Sequence, residues 1–178
     1  MLNWSIDESW TLFLDRDGVI NERIMGGYVL DFKDFQFKPG VLSSFAELSS
    51  KFKHVFVVTN QQCVALSKIS EEELTNIHQK MVVELTKVEG KITHVFAATE
   101  LKNHDSFMRK PSPKMGAMAK ELYPEIDFLK AIMVGDTDTD LIFGKNLGMK
   151  TVLIVTEEKI SVQADCIVSS LNELNQLL

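Results

Sequence analysis

The stretch that most constrains the fold of this chain runs from Thr11 to Asn21 and reads Thr-Leu-Phe-Leu-Asp-Arg-Asp-Gly-Val-Ile-Asn. A short apolar run leads straight into two carboxylates that flank an arginine, and a glycine follows. Such a run predicts a strand covered on both faces, as in a parallel sheet, and Gly18 permits a sharp turn that a larger side chain would resist. The strand delivers Asp15 and Asp17 to its own carboxyl end, where ligands of these sheets bind. Taken alone, the two aspartates are ordinary turn formers.

The same pattern recurs downstream. His54 to Thr59 is β-branched and aromatic and ends in Thr59-Asn60-Gln61; Ala131 to Val134 runs into Gly135-Asp136 and, four residues on, Asp140. His94 to Ala98, Thr151 to Val155 and Cys166 to Val168 also read as strands. Helical spacing predicts helices from Pro39-Gly40 to about Lys51, from a Ser70/Glu73 capping box to about Val88 with Gly90 closing it, and over Pro113–Leu122, Leu141–Leu147 and Leu171–Leu178. Residues 22–38 read as a loop with extended pieces. Strands alternating with helices predict an α/β fold, a doubly wound, mainly parallel sheet in three layers. Residues 1–178 are expected to form one domain. Helices and strands already fill the Asp15–Thr59 and Thr59–Lys110 intervals, so no separate cap domain is expected.

In a parallel sheet all these strand ends open on one edge. Asp15, Asp17, Asp136 and Asp140 would then crowd together, and each pair a few ångströms apart repels by roughly 2–4 kcal/mol at a screened dielectric. Such a cluster needs a cation, and an all-oxygen ligand set favours a hard one such as Mg²⁺. With Lys110 added, a site that would repel a phosphate becomes one that holds it. A carboxylate nucleophile (Asp15), a second carboxylate for proton transfer (Asp17), and Thr59 and Lys110 for the phosphoryl oxygens are the equipment for phosphoryl transfer through an aspartyl-phosphate. Asp138, in the same acidic stretch, reads as a helix-start acid. A net charge of −6 and a pI near 5.2 disfavour nucleic acid as a partner. No run approaches membrane-spanning length and no leader pattern opens the chain, so a cytoplasmic location is expected. Cys63 and Cys166 are too few for a disulfide framework and read as free thiols.

In this order, Asp-x-Asp-Gly after a strand, a strand-terminal Thr59, Arg109-Lys110-Pro111 and Gly135-Asp136 with Asp140 resemble the four motifs of the haloacid dehalogenase superfamily, in its aspartate-phosphatase branch. The likeness spans roughly Leu12 to Val155. Asp17, absent from the dehalogenases proper, points to phosphate chemistry. Closer still is a resemblance to the small phosphatases acting on D-glycero-D-manno-heptose 1,7-bisphosphate and on histidinol phosphate, carried by Phe13 to Asn21, Gly27-Tyr28-Val29, Val57 to Gln61 and Arg109-Lys110-Pro111. It implies an Mg²⁺-dependent phosphomonoesterase with Asp15, Asp17, Thr59 and Lys110 in catalysis, Asp15, Asp17, Asp136 and Asp140 around the metal, and Asn60, Gln61, Arg109 and Tyr28 toward the substrate. A heptose bisphosphate is the first expected substrate; histidinol phosphate, a polynucleotide 3'-phosphate and a catalytically silent scaffold are the alternatives. The oligomeric state is left open.

Two departures stand out. Many relatives carry a cysteine and histidine zinc loop before Arg-Lys-Pro, whereas Thr99 to Met108 holds His104 and no cysteine, so no structural zinc is expected. After Thr-Asn-Gln the relatives usually continue with a glycine and then a basic residue in a loop facing the substrate. Here the chain reads Gln62-Cys63-Val64-Ala65-Leu66-Ser67, and its lysine, Lys68, comes late. Cys63 reads as packing, and His54 and His78 carry no assigned role.

Overall fold

The computed structural model describes residues 2, 4–103 and 106–178. Strands β1 (Thr11–Leu14), β2 (His54–Asn60), β3 (His94–Ala98), β4 (Ala131–Gly135), β5 (Lys150–Ile154) and β6 (Cys166–Val168) form one sheet in the order β3-β2-β1-β4-β5-β6. Every neighbouring pair is parallel, with Leu12 opposite Val55 on one side and Ile132 on the other. The chain builds outward from β1 through β2 to β3, then returns to lay β4 on the other flank of β1. That reversal leaves a crevice at the carboxyl ends of β1 and β4, where doubly wound sheets bind their ligands.

Alternate strand residues face opposite layers. Leu12, Leu14, Val55, Val57, Ile132 and Val134 pack with Phe45 and Leu48 of α1 (Val41–Ser50), Leu74, Ile77 and Met81 of α2 (Glu71–Lys87), and Leu171 and Leu174 of α5 (Leu171–Leu177). Phe13, Phe56, Val58 and Met133 pack with Met115 and Ala119 of α3 (Lys114–Leu122) and Phe143 of α4 (Asp138–Asn146). Each fully buried aliphatic or aromatic side chain contributes about 1.5–3 kcal/mol by leaving water, and the two clusters clamp the strands rigidly beneath the crevice.

Gly90 closes α2 as expected, its N–H donating to the Leu85 carbonyl at 2.9 Å, while Glu89 takes the left-handed φ of 62°; Gly90 also passes so close to Phe45 that a Cβ would lie 2.5 Å from its ring. The start of α4 differs from the sequence reading. Helix α4 begins at Asp138 rather than Leu141, because Asp140 bonds back to Thr137 and closes the first turn. Within residues 22–38 the structure forms a short 3₁₀ turn, Phe32–Asp34. Cys63 and Cys166 are both free, and no helix among the described residues is long and apolar enough to cross a membrane.

Candidate active site

The strand ends deliver their polar residues to one cavity of about 300 Å³, lined by Asp15, Asp17, Thr59, Asn60, Arg109, Lys110 and Asp140 together with Arg23, Tyr28, Gln62, Thr137 and Thr139. Lys110 is the central cation. It is 2% exposed, and its Nζ donates to the carbonyl of Val58 at 2.7 Å while lying 2.8 Å from Asp15 Oδ1 and 2.6 Å from Asp140 Oδ1. Burial opposes its charge, but Asp140 and Asp15 outweigh burial and raise its pKa. The Asn60 amide clamps the lysine's backbone, accepting from its N–H at 2.9 Å and donating to its carbonyl at 3.2 Å. Asn60 thus lines the cavity, but its side chain is committed to Lys110.

Asp140 anchors the opposite wall. Its Oδ2 accepts from the backbone N–H groups of Asp136 and Thr137 at 3.2 and 3.0 Å and from the Thr137 hydroxyl at 2.7 Å. Gly135 admits this packing, since a Cβ there would fall 2.1 Å from the Asp140 side chain. Gly18, at φ 88°, does the same for Asp136: a Cβ would fall 2.0 Å from Asp136 Oδ2.

Asp15, Asp136 and Asp140 come together, each offering a carboxylate oxygen within 4.8 Å of the others. Burial, then the charges of Asp140 and Asp136, push Asp15 up to about 7 despite Lys110. Burial and Asp140 push Asp136 up to about 6, although Arg23 Nη1 lies 3.2 Å from its Oδ2. Asp136 Oδ1 is buried with no hydrogen-bond partner among the described residues. Uncompensated buried carboxylate oxygens in a dense acidic group are what a hard divalent cation satisfies, so the residues present fit Mg²⁺.

Asp17 does not join that group through its carboxylate. Arg16, wholly buried, needs a counterion and takes Asp17: Arg16 Nη2 lies 3.0 and 2.9 Å from its two oxygens. Asn21 Nδ2 donates to Oδ1 at 2.9 Å and Gln61 Nε2 to Oδ2 at 2.8 Å. Burial raises the pKa of Asp17, but Arg16, Asn21 and Gln61 overcome it and hold the carboxyl below its usual range. Gln61, expected to face the substrate, is 1% exposed and sits behind the cavity, donating also to Thr59 Oγ1 at 2.8 Å. The residue beside it, Gln62, lines the cavity instead, and its amide donates to the Tyr28 hydroxyl at 2.7 Å.

Arg109 lines the cavity with its Nη1 buried and without a partner among the described residues. Glu100 fixes its backbone, accepting from the Arg109 N–H at 2.8 Å. Cys63 is fully buried, and burial pushes its thiol up, as suits a packing role. His104 lies outside the described residues. The sequence reading did not single out Arg23, Gln62, Thr137 or Thr139. For Thr137 and Thr139 a signal existed, since both flank the acidic residues that open α4; Arg23 gave none, because its partner Asp136 lies far along the chain.

Comparison with known proteins agrees with this geometry. A family model described as HAD-hydrolase-like, for haloacid dehalogenase, matches residues 107–174. The D-glycero-beta-D-manno-heptose-1,7-bisphosphate 7-phosphatase of Escherichia coli K12 is 31% identical, over 94% of this chain and 92% of that protein. The D-glycero-alpha-D-manno-heptose-1,7-bisphosphate 7-phosphatase of Campylobacter jejuni is 32% identical over 83% of each. The crystal structure of D,D-heptose 1,7-bisphosphate phosphatase from B. bronchiseptica, complexed with magnesium and phosphate, shares the fold with a TM-score of 0.84 at 24% identity, covering 94% of this chain and 97% of that one. The parallel sheet, the gathered strand ends and these relatives together establish that the chain belongs to the haloacid dehalogenase-like hydrolases, as a phosphatase of the group that includes the heptose-bisphosphate phosphatases.

Proposed function

We propose that this phosphatase removes the 7-phosphate of D-glycero-D-manno-heptose 1,7-bisphosphate in the cytoplasm, through an aspartyl-phosphate on Asp15. The observation that carries the chemistry is Asp15 held 2.8 Å from a wholly buried lysine at the floor of a polar cavity. An Asp15 oxygen attacks phosphorus, the bond from phosphorus to the sugar oxygen breaks, and that oxygen takes a proton from Asp17, which must first bind it from solvent against the pull of Arg16, Asn21 and Gln61. Water then attacks the phosphorus of the acyl phosphate, its proton passes to Asp17, the bond from phosphorus to the Asp15 oxygen breaks, and inorganic phosphate leaves. The hydrogen bonds around Asp17 favour its ionised form, which the second half-reaction needs. The Thr59 hydroxyl serves the phosphoryl oxygens, and Lys110, whose three donors go to Val58, Asp15 and Asp140, favours the anion beside Asp15 by its charge.

Asp15, Asp136 and Asp140 would hold Mg²⁺: Asp136 Oδ1 is buried with no partner among the described residues, and Asp140 closes the back of the cluster beside Lys110 and the start of α4. When bound, the ion neutralises the carboxylates and polarises the phosphoryl group. For the sugar, the support is the cavity volume of about 300 Å³, the Nη1 of Arg109, without a partner among the described residues, and the Tyr28–Gln62 pair. The names of the relatives, which include both anomers, point to the same substrate.

The test is phosphate release from both heptose bisphosphate anomers, histidinol phosphate, other sugar phosphates and a 3'-phosphorylated oligonucleotide, with Mg²⁺ and with chelator. An Mg²⁺-dependent preference for one heptose anomer supports the reading. Preference for another phosphate ester moves the substrate and leaves the chemistry.

A further inference from the structure

Helix α2 contributes no side chain to the active-site cavity, yet one of its residues reaches the machinery from behind. His78 lies on the buried face of α2, among Leu74, Ile77 and Met81. A histidine there is out of keeping with its apolar neighbours unless its ring has a polar partner, and it has one: His78 Nε2 is 3.0 Å from Arg16 Nη1. Arg16 is wholly buried, with its guanidinium over the Phe35 ring at 5.9 Å and its Nε without a partner among the described residues. Its contacts through Nη1 and Nη2 are therefore His78 on one arm and Asp17 on the other.

We propose that His78 is a positioning residue for the proton-transfer carboxylate, fixing the Arg16 guanidinium through Nε2 and, through Arg16, the placement of Asp17. An arginine N–H donates, so Nε2 must accept, which requires the neutral ring with its proton on Nδ1. Burial and the neighbouring Arg16 charge push the ring pKa down to about 3, so the accepting form is the one present near neutral pH. With His78 gone, the guanidinium keeps its tie to Asp17 but loses the second point that fixes its plane, and the carboxylate can swing with it. A misplacement of about an ångström is enough to cost a hundredfold in a positioned proton transfer.

The inference rests on the reading of Asp17 as the group that activates water, and its test separates the two. An aryl phosphate such as p-nitrophenyl phosphate has a leaving group that needs no protonation, so phosphorylation of Asp15 proceeds while hydrolysis of the acyl phosphate still depends on Asp17. In His78→Leu, kcat and KM should fall together by about tenfold or more, kcat/KM should stay within about threefold, and acid-quenched phosphoenzyme should accumulate. His78→Gln, whose amide oxygen reaches the same point, should restore kcat to within about threefold. If the leucine variant does not fold, His78→Asn, polar but too short to reach Arg16, should show the same stall. A fall in kcat with KM unchanged and no trapped phosphoenzyme, or turnover like the wild type, would overturn the proposal. A wild-type protein that forms no phosphoenzyme would instead overturn the reading of the site, and the inference with it.

Discussion

Lys110 lies 2.6 Å from Asp140 and 2.8 Å from Asp15, so one buried ammonium joins the proposed nucleophile to the first turn of α4. Its remaining donor goes to the Val58 carbonyl within β2, so the end of β1, strand β2 and the first turn of α4 are tied to one atom. Lysine thus does structural and electrostatic work at the same point.

Removing that ammonium should destabilise the protein as well as inactivate it. Lys110→Met leaves Asp15 and Asp140, two of the three clustered carboxylates, without their buried counterion. Taking one partner from a buried ion pair costs about 3–5 kcal/mol. For a domain of this size that corresponds to a Tm lower by roughly 6–20 °C in metal-free protein near neutral pH. A Tm unchanged from wild type would show that Lys110 does not carry the cluster.

Mg²⁺ binding should be pH-dependent in a fixed direction. Asp15 at about 7 and Asp136 at about 6 lie above their unfolded value of 3.8, so the metal-free folded state retains protons that the unfolded chain has released. These two groups therefore stabilise the metal-free fold fully below about pH 4 and lose that contribution as pH rises through 6 and 7. A divalent ion binds the ionised carboxylates and must displace those protons. The Tm increase caused by Mg²⁺ should accordingly grow between about pH 5 and 8. An increase that is flat or shrinks over that range would contradict the assignment of these carboxylates to the metal.

Two glycines separate backbone strain from close approach. Gly18 and Gly26 both have positive φ, 88° and 68°, but a Cβ at Gly18 would collide with Asp136 while one at Gly26 would meet nothing within 4 Å. Gly26→Ala should cost only the left-handed backbone penalty of about 1–2 kcal/mol. Gly18→Ala should cost more and also abolish the Tm increase caused by Mg²⁺, measured side by side by thermal melts. Equal effects would mean that the Gly18–Asp136 contact is not structurally demanding.

The sequence made the scaffold of this site readable and left its wiring hidden. Thr11–Leu14 and Ala131–Gly135 are unbroken apolar runs ending in acids, a pattern that needs no tertiary information to interpret as buried parallel strands. The start of α4 was obscured because Thr137 to Asp140 is polar throughout, and its helical register depends on Asp140 bonding back to Thr137. Side-chain direction was harder still. Gln61 and Gln62 are chemically identical neighbours, and only the turn after β2 decides which one faces the cavity. The sequence groups Asp17 with the metal ligands, since it shows four acids but not the buried Arg16 that claims one of them.

Arg109 should contribute binding more than chemistry. Its Nη1 is buried and without a partner among the described residues, a donor suited to an anionic or hydroxyl acceptor. Arg109→Lys keeps the charge but loses the planar fork, so KM for the sugar phosphate should rise about tenfold with kcat within about threefold. A fall in kcat with KM unchanged would place Arg109 among the groups acting only in the transition state.

The mechanism turns on the covalent intermediate on Asp15. Acid quenching during turnover of a labelled phosphate ester, followed by peptide mapping, should find an Mg²⁺-dependent, hydroxylamine-labile acyl phosphate on Asp15. Asp15→Asn should yield neither the label nor measurable turnover. Label on another residue, or near-normal turnover by the Asp15→Asn protein, would contradict the account.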